Sequence, residues 1–178
     1  MNENTKEVME QWGFHGFFGK IIFYFKFLSN WLKFFLAMKI PIPYFRTQLQ
    51  RQRGVRIGFD VYLGHDVIID LLYPKMIIIE DFVDIGDRTL IYAHSRGSPP
   101  LKKIYPRKIE RVRIGKGTWI GNNVMILPGV SIGKYCVIGG SSVVTKDIAN
   151  FSLAVGSPAK IVRKIDKNSI LKLNRKKE

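Results

Sequence analysis

From residue 55 onward an aliphatic side chain returns at every sixth position, a spacing that suits neither the helical period of about 3.6 nor the two-residue alternation of a strand. One column reads Ile57, Leu63, Ile69, then Ile79, Ile85, Ile91, and later Ile114, Ile120, Ile126, Ile132, Ile138 and Val144. A second column, two residues earlier, runs Val55, Val61, Val67, Ile77, Val83, Thr89, Val112, Thr118, Val124, Val130, Cys136 and Ser142, and its side chains shrink towards the end. Seven residues of the first column are followed directly by glycine, at 58, 64, 86, 115, 121, 133 and 139. Such a chain can bury its apolar column only by turning after each short strand and stacking coil on coil, because one coil alone covers too little surface. Three hexads per coil make at least four coils. The glycines remove a Cβ where turns need unusual dihedrals or coils approach closely.

The period breaks twice, at 70–78 (DLLYPKMII) and at 92–113. Breaks in a solenoid are where loops leave the stack, and loops on a rigid scaffold are where chemistry is usually placed. The longer break contains residues 95–111, SRGSPPLKKIYPRKIER, with three prolines and six basic side chains. It has too few inward aliphatics to form another coil.

From Arg113 to Ile165 the sequence holds Trp119-Ile120-Gly121, Pro128-Gly129-Val130, the stretch GGSSVVTKD at 139–147 and Gly156-Ser157-Pro158-Ala159-Lys160. These motifs resemble the hexapeptide-repeat acyltransferases, in particular the acetyl-coenzyme A-dependent sugar O-acetyltransferases. The resemblance implies an all-β solenoid, a left-handed parallel β-helix, assembled as a homotrimer with acetyl-CoA as co-substrate and no metal. It places the pantetheine arm along Gly121, Gly139, Gly140 and Ser141, and the adenosine phosphates at Lys160 and Arg163, whose charges suit phosphate. Gly140 departs from the alanine usual at that position.

His94, at the mouth of the long loop, resembles the family histidine that sits before the WIG motif. A neutral imidazole can take a proton from an attacking hydroxyl or amine and return it to the departing thiolate. His65 is a reserve candidate, and His15, among aromatic residues, reads as packing or interfacial. A carboxylate should orient His94; Asp70, Asp84 and Asp87 are open by proximity, with Asp84 preferred. A backbone N–H near 119–121 is the expected donor to the thioester oxygen. The acceptor is expected to be a sugar or surface glycan, with an N-acetyltransferase on an amino sugar and a catalytically idle scaffold or binding protein as the alternatives. A carbonic anhydrase of this fold would need three converging histidines, and His15 lies outside the solenoid.

Ahead of the solenoid lies an aromatic, basic segment at 12–38. It is no secretory signal, because Lys20, Lys26 and Lys33 interrupt it and no small-residue cleavage site follows. At 100° per residue, Lys26, Ser29, Asn30 and Lys33 share a narrow face of a helix, with Phe23, Phe27, Leu28, Trp31, Leu32, Phe34 and Phe35 over most of the rest. That pattern suits a helix lying in an anionic membrane interface; packing on the main domain or on a neighbouring subunit is the alternative. Pro41 and Pro43 are expected to end the helix and begin a linker. The expected organisation is a helical leader at 1–45, the β-helix at 46–160 with its loop at 95–111, and a basic C-terminal extension at 161–178.

The chain carries 29 Lys plus Arg against 14 Asp plus Glu, a formal charge of +15. The charge is segregated: residues 21–56 have seven basic side chains and no acid, whereas 57–95 have two basic and seven acidic ones. Without a recognition module among the basic zones, this segregation argues against nucleic acid and for separate attractions to lipid and to coenzyme phosphates. The single cysteine, Cys136, excludes an internal disulfide framework and fits a reducing compartment; the expected location is the cytoplasm, with residues 12–38 as the candidate attachment to the inner face of the cell membrane.

Overall fold

The computed structural model describes residues 3–168 and 170. Three helices, α1 (Glu3–Gln11), α2 (Gly16–Lys39) and α3 (Pro43–Gln52), precede a stack of coils. The first coil holds β1 (Arg56–Ile57), β2 (Tyr62–Leu63) and β3 (Ile68–Ile69), and the second holds β4 (Ile77–Ile79), β5 (Asp84–Ile85) and β6 (Leu90–Ile91). A hairpin of β7 (His94–Ser95) and β8 (Lys108–Ile109) then leaves the stack. The third coil has β9 (Val112–Ile114), β10 (Trp119–Ile120) and β11 (Met125–Ile126), and the fourth has β12 (Ser131–Ile132), β13 (Val137–Ile138) and β14 (Val143–Val144). The stack closes with β15 (Ser152–Val155), on which β16 (Lys160–Lys164) folds back antiparallel.

Corresponding strands of successive coils pair in parallel to make three faces, β1-β4-β9-β12, β2-β5-β10-β13-β15 and β3-β6-β11-β14. The register aligns the hexad column with itself: Ile57 with Ile79, Ile114 and Ile132; Leu63 with Ile85, Ile120, Ile138 and Ala154; Ile69 with Ile91, Ile126 and Val144. The paired positions 57 and 79, 79 and 114, and 114 and 132 stand 22, 35 and 18 residues apart. Only the last is three plain hexads, so the excess residues leave at the two breaks.

Every member of the first column except Ile57 is buried, and Ile57 packs against the same core. The second column turns small and polar because its hydroxyls satisfy corner carbonyls: Thr89 donates to Gly121 O, Thr118 to Gly133 O and Ser142 to Gly139 O. Buried polar atoms without partners are costly, and these have partners. At Gly121 a Cβ would stand 2.7 Å from the amide nitrogen of Gly140 in the next coil, so glycine there is a condition of the coil spacing.

The leader differs from the sequence reading in two respects. Residues 43–52, read there as linker and solenoid, form α3, since Pro43 at the first helical turn lacks only an N–H that would be unpaired anyway. The narrow polar face of α2 does not simply face water, because Asn30 points inward and donates to Leu71 O at 2.7 Å. Phe23 and Ala37 are buried along the docked side. The opposite side, from Phe17, Phe18 and Ile21 through Phe25 and Leu28 to Leu32 and Leu36, is exposed. By length and composition alone α2 could cross a membrane, and only 11% of its apolar window is buried.

Candidate active site

The two breaks in the repeat leave the stack at the same corner, one coil above the other. Asp70 follows Ile69 and Tyr92 follows Ile91, and these isoleucines are register partners. Stacking therefore sets the first residues of the short break against those of the long one. Asp70 is fully buried there and accepts four hydrogen bonds. Its Oδ1 takes the N–H groups of Leu72 (2.9 Å) and Tyr73 (3.1 Å), and its Oδ2 takes the N–H of Ala93 (2.9 Å) and Nδ1 of His94 (2.6 Å).

Burial works to raise the Asp70 carboxyl, but the bonds from His94, Ala93 and Tyr73 outweigh it and hold the pKa below its ordinary value. An ionised carboxylate can only accept, so Nδ1 of His94 carries the hydrogen and Nε2 is the nitrogen left to exchange a proton with a ligand. The His94 side chain is 20% exposed, within reach of a ligand. Tyr73 lies edge-on to the imidazole with ring centroids 5.0 Å apart, and its hydroxyl donates to Gln11 of α1.

Asp84, preferred from the sequence as the partner of His94, is not in this site. It stands on β5 between Tyr62 and Trp119 on the outer surface of a different face, where partial burial and the charge of Asp60 push its carboxyl up. Asp87 caps a turn instead, accepting from the N–H of the exposed His65 at 2.7 Å. His15 sits at the N-terminus of α2. Asp84 is nearer than Asp70 along the chain, ten residues before His94. The informative distance was the register step of 22, which points from 92–94 back to 70–72.

The leader holds this corner from behind. Arg53, just past α3, donates to the carbonyls of Ile69 and Asp70, to Gln50 and to Asn30, and stacks over Phe34. Burial lowers its pKa to about 10, so it remains a cation at neutral pH. On the far side α1 ties down the long loop: Glu7 pairs with Arg107 at 3.0 Å, Asn4 also accepts from Arg107, and Lys102 pairs with Glu3 at 2.8 Å. No sequence pattern links Glu7 to Arg107 or Arg53 to Asp70, because these contacts join segments with no repeat in common.

The residues read as a coenzyme site gather at another corner, between the faces carrying β10 and β11. Gly121 and Gly140 touch across successive coils, and a Cβ on Gly139 would stand 2.6 Å from Cγ1 of Val155. Ser141 donates its N–H to Asn122 O and its Oγ accepts from Asn123. Lys160 pairs with Val155 in the adjoining strand, and Arg163 lies further along β16 beside Leu153. The N–H groups of Trp119 and Gly121, expected to be free for an oxygen anion, are taken by Cys136 O and Ile138 O in the ladder. Among the described residues no group of three or more His, Cys, Asp or Glu side chains is close enough to hold a metal ion.

A hexad solenoid with a buried carboxylate and a histidine at one corner defines a class, and residues 111–146 match the family model described as bacterial transferase hexapeptide (six repeats). Residues 111–146 thus carry the repeat of that family. One segment aligns with Staphylococcus aureus proteins described as putative acetyltransferases at 59% identity over 59 residues, 33% of this chain and 30% of theirs. The chain thus spans less than a third of those relatives. It is 40% identical over 115 residues to the galactoside O-acetyltransferase of Lactococcus lactis, covering 64% of this chain and 55% of that one. A hexapeptide-repeat acetyltransferase of Vibrio cholerae solved with acetyl-coenzyme A shares the fold, with TM-score 0.64 and 22% identity over 81% of this chain and 89% of that one.

Proposed function

We propose that this protein is an acetyl-CoA-dependent O-acetyltransferase acting on a sugar or glycan, with His94 as general base. The single observation that carries the reading is the His94–Asp70 pair, an imidazole held through Nδ1 by a buried carboxylate at a break in the solenoid. Nε2 takes the proton of the acceptor hydroxyl as its oxygen bonds to the thioester carbonyl carbon. The C–S bond then breaks and the imidazolium returns the proton to sulfur. The products are the acetyl ester and the free thiol, with no bond formed to the enzyme. Asp70 stabilises the transient imidazolium and keeps the ring oriented.

The coenzyme is assigned to the glycine corner, where Gly121 and Gly140 bring successive coils into backbone contact, by the likeness of these motifs to those of the acetyl-CoA-dependent enzymes. Lys160 and Arg163 offer charge to its phosphates. Within one chain, the glycine corner and His94 stand at opposite ends of the face formed by β3, β6, β11 and β14. A strand-and-turn unit of six residues spans about 20 Å. A homotrimer resolves this separation, with the glycine corner of one copy laid against the His94 corner of the next.

The same reading places the protein at the inner surface of the cytoplasmic membrane. With one side of α2 packed on α1 at Phe23 and bonded to the solenoid at Asn30, the helix lies flat and half-immersed rather than spanning. Lys26 and Lys33 border one edge of the open apolar side and Lys20 the other, where they can snorkel to anionic headgroups.

The test is mass spectrometry of a panel of glycosides incubated with the protein and acetyl-CoA. One added acetyl group per transferred equivalent, with matching thiol release, is expected. Saturable coenzyme A binding without transfer to any acceptor would show an idle scaffold instead.

A further inference from the structure

The first coil is longer than a plain turn of the solenoid. Ile57 and Ile79 pair at a separation of 22 residues, where Ile114 and Ile132 pair at 18. The surplus lies between β3 and β4, in the segment that opens with Asp70 and runs through Tyr73 into the 3₁₀ turn Pro74–Met76. Tyr73 touches both members of the His94–Asp70 pair. Its N–H donates to Oδ1 of Asp70 at 3.1 Å, and its ring stands edge-on to the imidazole, with centroids 5.0 Å apart and planes at 63°. The residue is buried, and its hydroxyl is held on the far side by Gln11 of α1.

One hydrogen bond fixes one atom of an imidazole and leaves its plane free. Held at Nδ1 alone, the ring can swing about the bond to Asp70 and carry Nε2 out of line with an acceptor, and proton transfer depends on that alignment. A second contact off the bond axis removes the freedom. The flat ring of Tyr73 supplies it, and because its own N–H is tied to the same carboxylate, the three residues are held as one unit. The ring also takes up space beside the pair that water would otherwise fill, and a hydrogen bond shielded from water is the stronger for it. Tyr73 is not itself suited to move the proton: burial raises its phenol above the ordinary value of 10, against a smaller opposing effect of the Arg107 charge, and its hydroxyl proton is committed to Gln11. We infer that Tyr73 is a positioning residue whose ring fixes the plane of the His94 imidazole and so the direction of Nε2. This role rests on the reading of His94 as the base, but the state of the imidazole can be observed without turnover.

The experiment is NMR of the full chain labelled with nitrogen-15 in its histidines, alongside acceptor-dependent thiol release from acetyl-CoA. The variants are Tyr73→Phe, which keeps the ring, and Tyr73→Leu, which keeps apolar bulk without it; thermal unfolding by circular dichroism checks that each is folded. The Nδ1–H signal of His94, assigned by its absence in His94→Ala, should exchange slowly in native protein and in Tyr73→Phe, and about tenfold faster or more in Tyr73→Leu. In Tyr73→Leu kcat should fall about tenfold or more, and in Tyr73→Phe it should stay within about threefold, with the KM for acetyl-CoA changed less than about twofold in both. Native kcat and slow exchange in Tyr73→Leu would overturn the assignment, as would equal losses in both variants, which would place the role in the hydroxyl and its tie to α1. Should Tyr73→Leu not fold, the native protein still decides: an Nδ1–H that exchanges as fast as that of the exposed His65 would contradict a fixed ring. If Tyr73→Leu frees the imidazole but His94→Ala keeps turnover, the positioning stands and the reading of His94 as the base fails. If His94→Ala abolishes turnover while Tyr73→Leu behaves as native protein, the reverse holds.

Discussion

Asp70 accepts four hydrogen bonds away from solvent, and its charge is what makes those bonds strong. Its folded-state pKa lies below the ordinary value of 3.8, so its contribution to stability is full above pH 3.8 and is lost as the pH falls through the depressed value. Asp70→Asn should therefore cost about 1–3 kcal/mol at neutral pH, since the amide cannot accept all four bonds. Urea unfolding across the acid range should show the gap between native protein and variant closing below pH 3.8; a gap constant with pH would contradict the assignment. At this scale the sequence was legible only in part. His94 stood out by its place at the mouth of the loop, while Asp70 was hidden among three carboxylates, because its proximity to His94 arises from the stacking of coils.

At the scale of elements, the hexad columns announced the solenoid because each position repeats the same physical demand, an inward aliphatic followed by a turn. Ile120 and Ile138 are interchangeable in that sense, and their register is what the pattern requires. The helix α3 was not legible, since its Pro-Tyr-Phe-Arg start reads equally as a turn and its helicity depends on docking Arg46, Thr47 and Gln50 against the stack. The glycine corner gives a direct test. Gly121→Ala puts a methyl group 2.7 Å from Gly140 N, so the coils must part or the groove must fill. A loss of about 1–3 kcal/mol in stability is expected, together with weaker coenzyme A binding by calorimetry. Unchanged binding would move the coenzyme away from this corner.

For the whole molecule, the basic leader and the acidic early coils are joined through a few buried contacts, of which Arg53 and Asn30 are the chief. The exposed side of α2 should bind vesicles of mixed phosphatidylglycerol and phosphatidylcholine in co-sedimentation, and bind pure phosphatidylcholine weakly. The double change Phe25→Glu, Leu28→Glu should abolish sedimentation without altering the fold; retention by the variant would contradict an in-plane α2. Whether His94 held by Asp70 moves the proton in acetyl transfer is read from acceptor-dependent thiol release from acetyl-CoA. Native protein, His94→Ala, Asp70→Asn and Asp84→Asn should be compared. Loss of about 10²–10⁴-fold in kcat is predicted for His94→Ala, with a clear fall for Asp70→Asn and near-native turnover for Asp84→Asn. Undiminished turnover by His94→Ala would contradict the claim.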